Sequence, residues 1–148
     1  MDEIITCKQL VGNIPDAIWE EIKPFILNAA EYAEWEFTPE STREWIRKEM
    51  QQVWIVRANG QVKFVWVTEI VVQAYRKAVI VFAAAGESRY GWDFWNYMSN
   101  WMEGNDILEA EVYCRPSMAR LLRKKGLRTR YEVLTIKPFG GTDEQQSA

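Results

Sequence analysis

Glu69 interrupts an otherwise apolar strand face. In the stretch at 61–72 (QVKFVWVTEIVV) the two-residue period places Val67, Glu69 and Val71 on one side. A carboxylate facing a cleft from that position is a general-base candidate, directly or through a water, and the alternative is a solvent-facing strand position. Glu109 and Glu111 share a face of a later strand in the same way. Tyr113 and Tyr131 are possible proton donors or core residues, and Cys114, a lesser candidate at a strand end, reads by default as a buried, inert thiol. The sequence has no histidine. That excludes Ser–His and Cys–His nucleophiles and imidazole metal sites together. The two cysteines, Cys7 and Cys114, lie far apart with no metal-ligand spacing, and read as free thiols.

A second chemical feature is the loop at 86–91 (GESRYG), placed between an apolar run ending in Ala83, Ala84 and Ala85 and the start of a helix. A helix N-terminus carries free N–H donors and a positive dipole end, so it binds anions. Arg89 can add a charged contact. The competing reading is that Gly86 and Gly91 serve turn geometry alone.

The elements that must position these residues follow from pattern. Residues 4–10 form a short strand. Asn13 and Pro15 open a helix running to about residue 33, with Pro24 expected to kink or divide it. Thr38-Pro39-Glu40-Ser41 opens a second helix, reaching about residue 52. Asn59-Gly60 between β-branched and aromatic runs predicts a hairpin of 53–58 with 61–72. Strand 78–85, helix 92–103, strand 107–114, a helix from Pro116 to Gly126 and a strand at 130–137 complete the order. Strands 53–58, 61–72 and 78–85 are expected as an antiparallel meander, with 107–114 parallel to 78–85 across the helix at 92–103. Trp66, Phe82, Trp95, Met102, Leu121 and Val133 are the expected core.

The 148 residues fit one α/β domain at 1–138, followed by a polar, Gly-rich tail at 139–148 read as disordered. Net charge is −3, against a nucleic-acid partner. The basic run at 115–130 reads as a solvated helix face or a phosphate contact. No segment approaches the roughly 18 apolar residues of a membrane span, and no signal-peptide pattern opens the chain, so a cytoplasmic protein without membrane contact is expected. Eight tryptophans fill a core, or serve a planar ligand or a protein interface.

Three local features carry a family resemblance. The segment at 115–127, with Ala119-Arg120-Leu121-Leu122 and Gly126-Leu127 before a strand, is similar to the penultimate helix of the GNAT acetyltransferase superfamily. The apolar strand followed by a glycine-bearing loop and a helix start resembles that family's pyrophosphate cradle. The long Asn-Gly hairpin feeds the same strand. Departures accompany these: Gly91 matches the cradle's Gly, but Ser88 and Asp93 stand where the cradle often has Gln/Arg and Gly/Ala, Arg115 where the family has Asn, and Leu122 where it often has Tyr. The resemblance implies a mixed, twisted sheet flanked by helices, with acetyl-CoA as donor and an amine as acceptor. Phe82, Ala83, Ala84 and Ala85 would pair with the pantetheine arm, Gly86, Arg89 and Gly91 would meet the pyrophosphate, and Glu69 and Tyr131 would act as base and acid. No metal is implied. The alternative is a catalytically idle member working through protein contacts, similar to divergent GNAT-like accessory or virion proteins of tailed phages.

Overall fold

The computed structural model describes residues 2–138. The expected tail at 139–148 lies outside the described residues. The chain divides into two units, Met1–Tyr113 and Cys114–Ala148, where the sequence predicts one domain over 1–138. The first contains β1 (Ile5–Leu10), α1 (Asp16–Tyr32), α2 (Pro39–Arg47), β2 (Gln52–Ala58), β3 (Gln61–Val72), β4 (Lys77–Gly86), a 3-10 turn (Ser88–Tyr90), α3 (Phe94–Gly104) and β5 (Ile107–Val112). The strands form one sheet in the order β1-β2-β3-β4-β5, with every pair antiparallel except β4 and β5, which run parallel. The meander and the parallel crossover through α3 are as the sequence predicts.

Both sheet faces are covered. On one, Trp19, Ile22 and Ile26 of α1 pack on Val53, Ile55, Val65, Val67 and Ala83. On the other, Met98 and Met102 of α3 pack on Trp54, Val56, Trp66, Val79 and Val81. Asn59 and Gly60 join β2 to β3 with φ of 51° and 83°, the two left-handed residues that a tight hairpin turn needs. A reciprocal cap starts α2: Thr38 Oγ1 accepts from Ser41 N at 3.0 Å, and Ser41 Oγ accepts from Thr38 N at 2.9 Å.

Several expectations are corrected. Helix α1 is continuous through Pro24. The proline is exposed, so the carbonyl that loses its N–H partner meets water instead. Asn13 does not cap α1, which starts at Asp16 behind Pro15 without a side-chain cap. Helix α2 ends at Arg47. In α3 the inward face is Phe94, Tyr97, Met98, Trp101 and Met102, a helical stripe that leaves Trp95 50% exposed. Trp66 and Met102 are buried, Phe82 partly so.

The second unit contains α4 (Pro116–Lys124). Gly126, at φ 102°, closes it, with Leu127 N on Leu122 O at 3.2 Å. The strand expected at 130–137 does not form; those residues have no regular secondary structure, and Val133, Leu134 and Ile136 are exposed. Leu121 is exposed as well. Alternating apolar residues make a strand only when a neighbouring strand takes their backbone groups. Among the described residues no helix is long and apolar enough to cross a membrane.

Trp66 is 1% exposed, so Trp66→Ala is expected to lower unfolding free energy by roughly 3–5 kcal/mol. Trp95→Ala should cost less than about 1 kcal/mol, as for other surface changes. Urea denaturation of the two variants checks this order.

Candidate functional site

The central strand changes character at Phe82. Opposite β3 the register steps from Val67–Ala83 to Thr68–Val81, so Phe82 is an extra residue, a β-bulge. On the other edge, pairing with β5 ends at Val81–Val112. Tyr113 N donates to Val81 O at 2.9 Å as the last rung. From Phe82 to the end of β4, the strand is paired on the β3 edge only among the described residues. The bulge breaks the alternation of side chains here. Phe82, Ala83 and Ala85 pack with the α1 cluster, whereas Ala84 is exposed. The small residues thus accommodate a helix on one face and leave backbone open along one edge. Phe37, between α1 and α2, sits edge-on to Phe82, with centroids 5.7 Å apart and planes at 78°.

The loop after β4 is shaped by Phe64. Gly86 has φ 128°, and a Cβ there would lie 2.3 Å from Lys63 O. A Cβ on Gly91 would lie 2.5 Å from the Phe64 ring. Gly91 itself has φ −99°, so ring packing requires the glycine, not a left-handed backbone. Much of the loop's donor capacity is internal: Glu87 N bonds Lys63 O, Tyr90 N bonds Glu87 O, and Gly91 N and Trp92 N both bond Ser88 O. The N–H groups of Ser88 and Arg89, and those of Trp95 and Asn96 in the first turn of α3, have no acceptor among the described residues. Asp93 precedes α3 without a capping hydrogen bond, so its carboxylate does not occupy those donors. The Arg89 guanidinium is engaged elsewhere, on Glu3 Oε1 at 3.0 Å and on the Tyr90 hydroxyl, which itself donates to Glu3 at 2.7 Å. The Tyr90 hydrogen bond and the Arg89 charge hold the Glu3 carboxyl below its usual range. Glu3 in turn raises the Tyr90 phenol.

Glu69 lies on the α1 face of β3. The register aligns Glu69 with Ile80 and Ile80 with Glu111, so two carboxylates flank Ile80 on one face. Glu109 and Glu111 share Arg76, at 2.6 and 3.7 Å. Glu69 accepts from Gln51 Nε2 at 3.1 Å. Gln51 went unremarked in the sequence, where it falls at the expected end of the second helix; its one signal is that two amides precede the apolar run at 53–56. Tyr131 belongs to the second unit, with the Arg130 guanidinium 5.9 Å from its ring centroid. Burial pushes the Cys7 thiol up to about 12, so it supplies no thiolate. The described residues hold no group of three or more Cys, Asp or Glu that could bind a metal.

No family model matches the sequence, and no curated protein does. Solved structures do match in fold. An aminoglycoside N-acetyltransferase in complex with CoA superposes with a TM-score of 0.70 at 9% identity, over 94% of this chain and 97% of that one. A ribosomal-protein-alanine N-acetyltransferase from Brucella melitensis biovar Abortus gives 0.67 at 10% identity, over 93% and 100%. An aminoglycoside acetyltransferase from an uncultured soil metagenomic sample, in complex with sisomicin, gives 0.66 at 11%, over 90% and 94%. These likenesses show the GNAT acetyltransferase fold.

Gly91→Ala should destabilise the protein by roughly 1–3 kcal/mol, the scale of overpacking. In a Phe64→Ala background that further loss should vanish, because the two positions couple through one contact. A double-mutant cycle by thermal unfolding measures it.

Proposed function

We propose that the chain is an N-acyltransferase that takes its acyl group from a CoA thioester, acetyl-CoA being the simplest donor, and passes it to an amine. The observation that carries this reading is the one-sided pairing of β4 beyond Val81. An extended ligand with amides along its length can add to such an edge as a strand does. The pantetheine arm is of that kind, and one of the matched acetyltransferases has CoA bound. Phe82, Ala83, Ala84 and Ala85 would hold the arm. Gly86, Gly91 and the free N–H groups of Ser88 and Arg89 would face the pyrophosphate, with Arg89 adding its side chain only after leaving Glu3. When bound, CoA supplies an activated acyl carbonyl.

The chain's own residues have two tasks. Glu69, half-buried and on the same face as Phe82, takes the proton that the acceptor amine must lose. Backbone donors on the open edge can stabilise a developing oxyanion. Tyr131 is the proposed proton donor to the leaving thiolate, a role that Tyr131→Phe tests.

A second reading has support of its own. Arg89 is bound to Glu3, and the loop uses four of its N–H groups internally. Both facts favour an idle module of this fold acting through protein contacts, as a phage accessory or virion protein would.

Thermal-shift titrations with CoA and acetyl-CoA separate the two. A donor site raises the melting temperature with ligand concentration by mass action. Glu69→Gln should keep that shift while lowering acyl transfer by about 10²–10⁴-fold, the usual contribution of a general base. Absence of any shift would sink the enzyme and leave the idle module.

A further inference from the structure

Glu3 engages the loop that the proposed donor site uses, from 86 residues away in sequence. The hairpin turn brings it there. Ile4 N donates to Asn59 Oδ1 at 3.0 Å, and Asn59 N donates to Ile4 O at 2.9 Å. The residues before β1 are thereby pinned to the turn between β2 and β3, and the next side chain outward is Glu3. Its Oε1 accepts from Arg89 Nη2 at 3.0 Å and from the Tyr90 hydroxyl at 2.7 Å. One carboxylate oxygen thus takes two donors of the loop.

The two donors differ in freedom. Tyr90 is 4% exposed and belongs to the core on the α3 face. The Arg89 guanidinium lies over the Tyr90 ring, 4.4 Å from its centroid, with 68% of its side chain exposed. Lys63, the second cation beside the loop, has Glu87 at 3.9 Å. These four side chains sum to no net charge, so an incoming anion meets a loop that the chain has already neutralised. Of the two carboxylates, Glu87 is part of the loop, whereas Glu3 reaches it through its side chain. A solvent-exposed ion pair contributes little in water. The Glu3 contact therefore biases Arg89 yet yields to a ligand that brings more charge and more acceptor oxygens.

We propose that Glu3 is an autoinhibitory carboxylate: it occupies Arg89 and the Tyr90 hydroxyl until a diphosphate-bearing ligand displaces it, so the segment before β1 sets the loop's affinity for such ligands. The exchange is one of hydrogen bonds, from carboxylate to phosphate oxygen, with no covalent step. The inference rests on the proposed donor site for CoA as the ligand, and on the Glu3, Tyr90 and Arg89 geometry for the rest.

The test is calorimetric titration of the full chain with inorganic pyrophosphate and with CoA at constant ionic strength. Wild type is compared with Glu3→Gln, Arg89→Ala and the double variant. Glu3→Gln should bind both ligands about three- to tenfold more tightly, the scale of an exposed ion pair joined by a charged hydrogen bond. In the Arg89→Ala background the same change should alter affinity by less than about twofold, because the contact it releases is already gone. A general field effect of one lost negative charge persists in that background and so does not imitate the coupling. In the wild-type protein, the Glu3 carboxyl resonance should move in step with pyrophosphate saturation, a reading that needs no variant to fold. Equal affinity of wild type and Glu3→Gln, an equal gain with and without Arg89, or a Glu3 resonance unmoved at saturation would each overturn the inference. CoA binding indifferent to Glu3 leaves the donor reading in place and removes the inhibitory contact. Glu3-dependent pyrophosphate binding without CoA binding keeps the contact and removes the donor. No binding of either ligand by any variant overturns both.

Discussion

Every backbone N–H and C=O in a sheet interior needs a partner, and among the described residues β4 meets that requirement on two edges only as far as Val81. The bulge at Phe82 and the last rung from Tyr113 to Val81 fall at the same level. Beyond them a central strand acquires the open edge of a border strand. Border strands are ordinarily protected against stray pairing. Here the exposed stretch is only a few residues long and is followed at once by Gly86 and a tight turn.

Phe64 links that edge to the loop. Its backbone pairs with Gly86, and its ring lies where a side chain on Gly91 would be. Gly91 is thus set by the ring of one β3 residue, and Gly86 by its positive φ and the Lys63–Phe64 backbone beside it. Packing and binding are not alternatives at these positions. A loop moulded tightly on a ring keeps its remaining donors, on Ser88 and Arg89, in fixed directions. The surroundings of Glu69 have the same character: Gln51 closes the turn after α2 through Gln51 N on Trp45 O at 3.3 Å, and the same residue carries an amide oxygen with no partner among the described residues.

The fold was legible where local rules act alone. Asn59-Gly60 dictates its turn, Thr38 and Ser41 dictate their cap, and the uninterrupted apolar run in β4 marks a strand covered on both faces. Legibility failed where the answer depends on a partner distant in sequence. The apolar pattern at 130–137 is strand-like, yet among the described residues no strand pairs with it. Helical spacing with Trp92, Ser99 and Met102 points Trp95 to the core, whereas the sheet selects the stripe containing Met98 and Met102. Of the site, Glu69 stood out as a polar residue on an apolar face. Gln51 did not, since nothing in an amide's immediate neighbours reveals that its oxygen will be covered and left without a donor. The engagement of Arg89 by Glu3 spans most of the first unit in sequence and was equally hidden.

The tryptophans of the α3 face have an optical consequence. The Trp54 and Trp66 rings lie 5.7 Å apart with planes at 6°, Trp101 stands edge-on to Trp54 at 5.2 Å, and Met98 Sδ accepts from Trp66 Nε1 at 3.2 Å. Parallel indoles this close share their excited state, and an adjoining sulfur offers it a route to decay. The near-ultraviolet dichroism of the protein therefore carries a contribution from one coupled chromophore. That chromophore lies on the sheet face opposite Glu69, Phe82 and Gln51. Its signal follows the integrity of the core and is nearly blind to whatever occupies the other side.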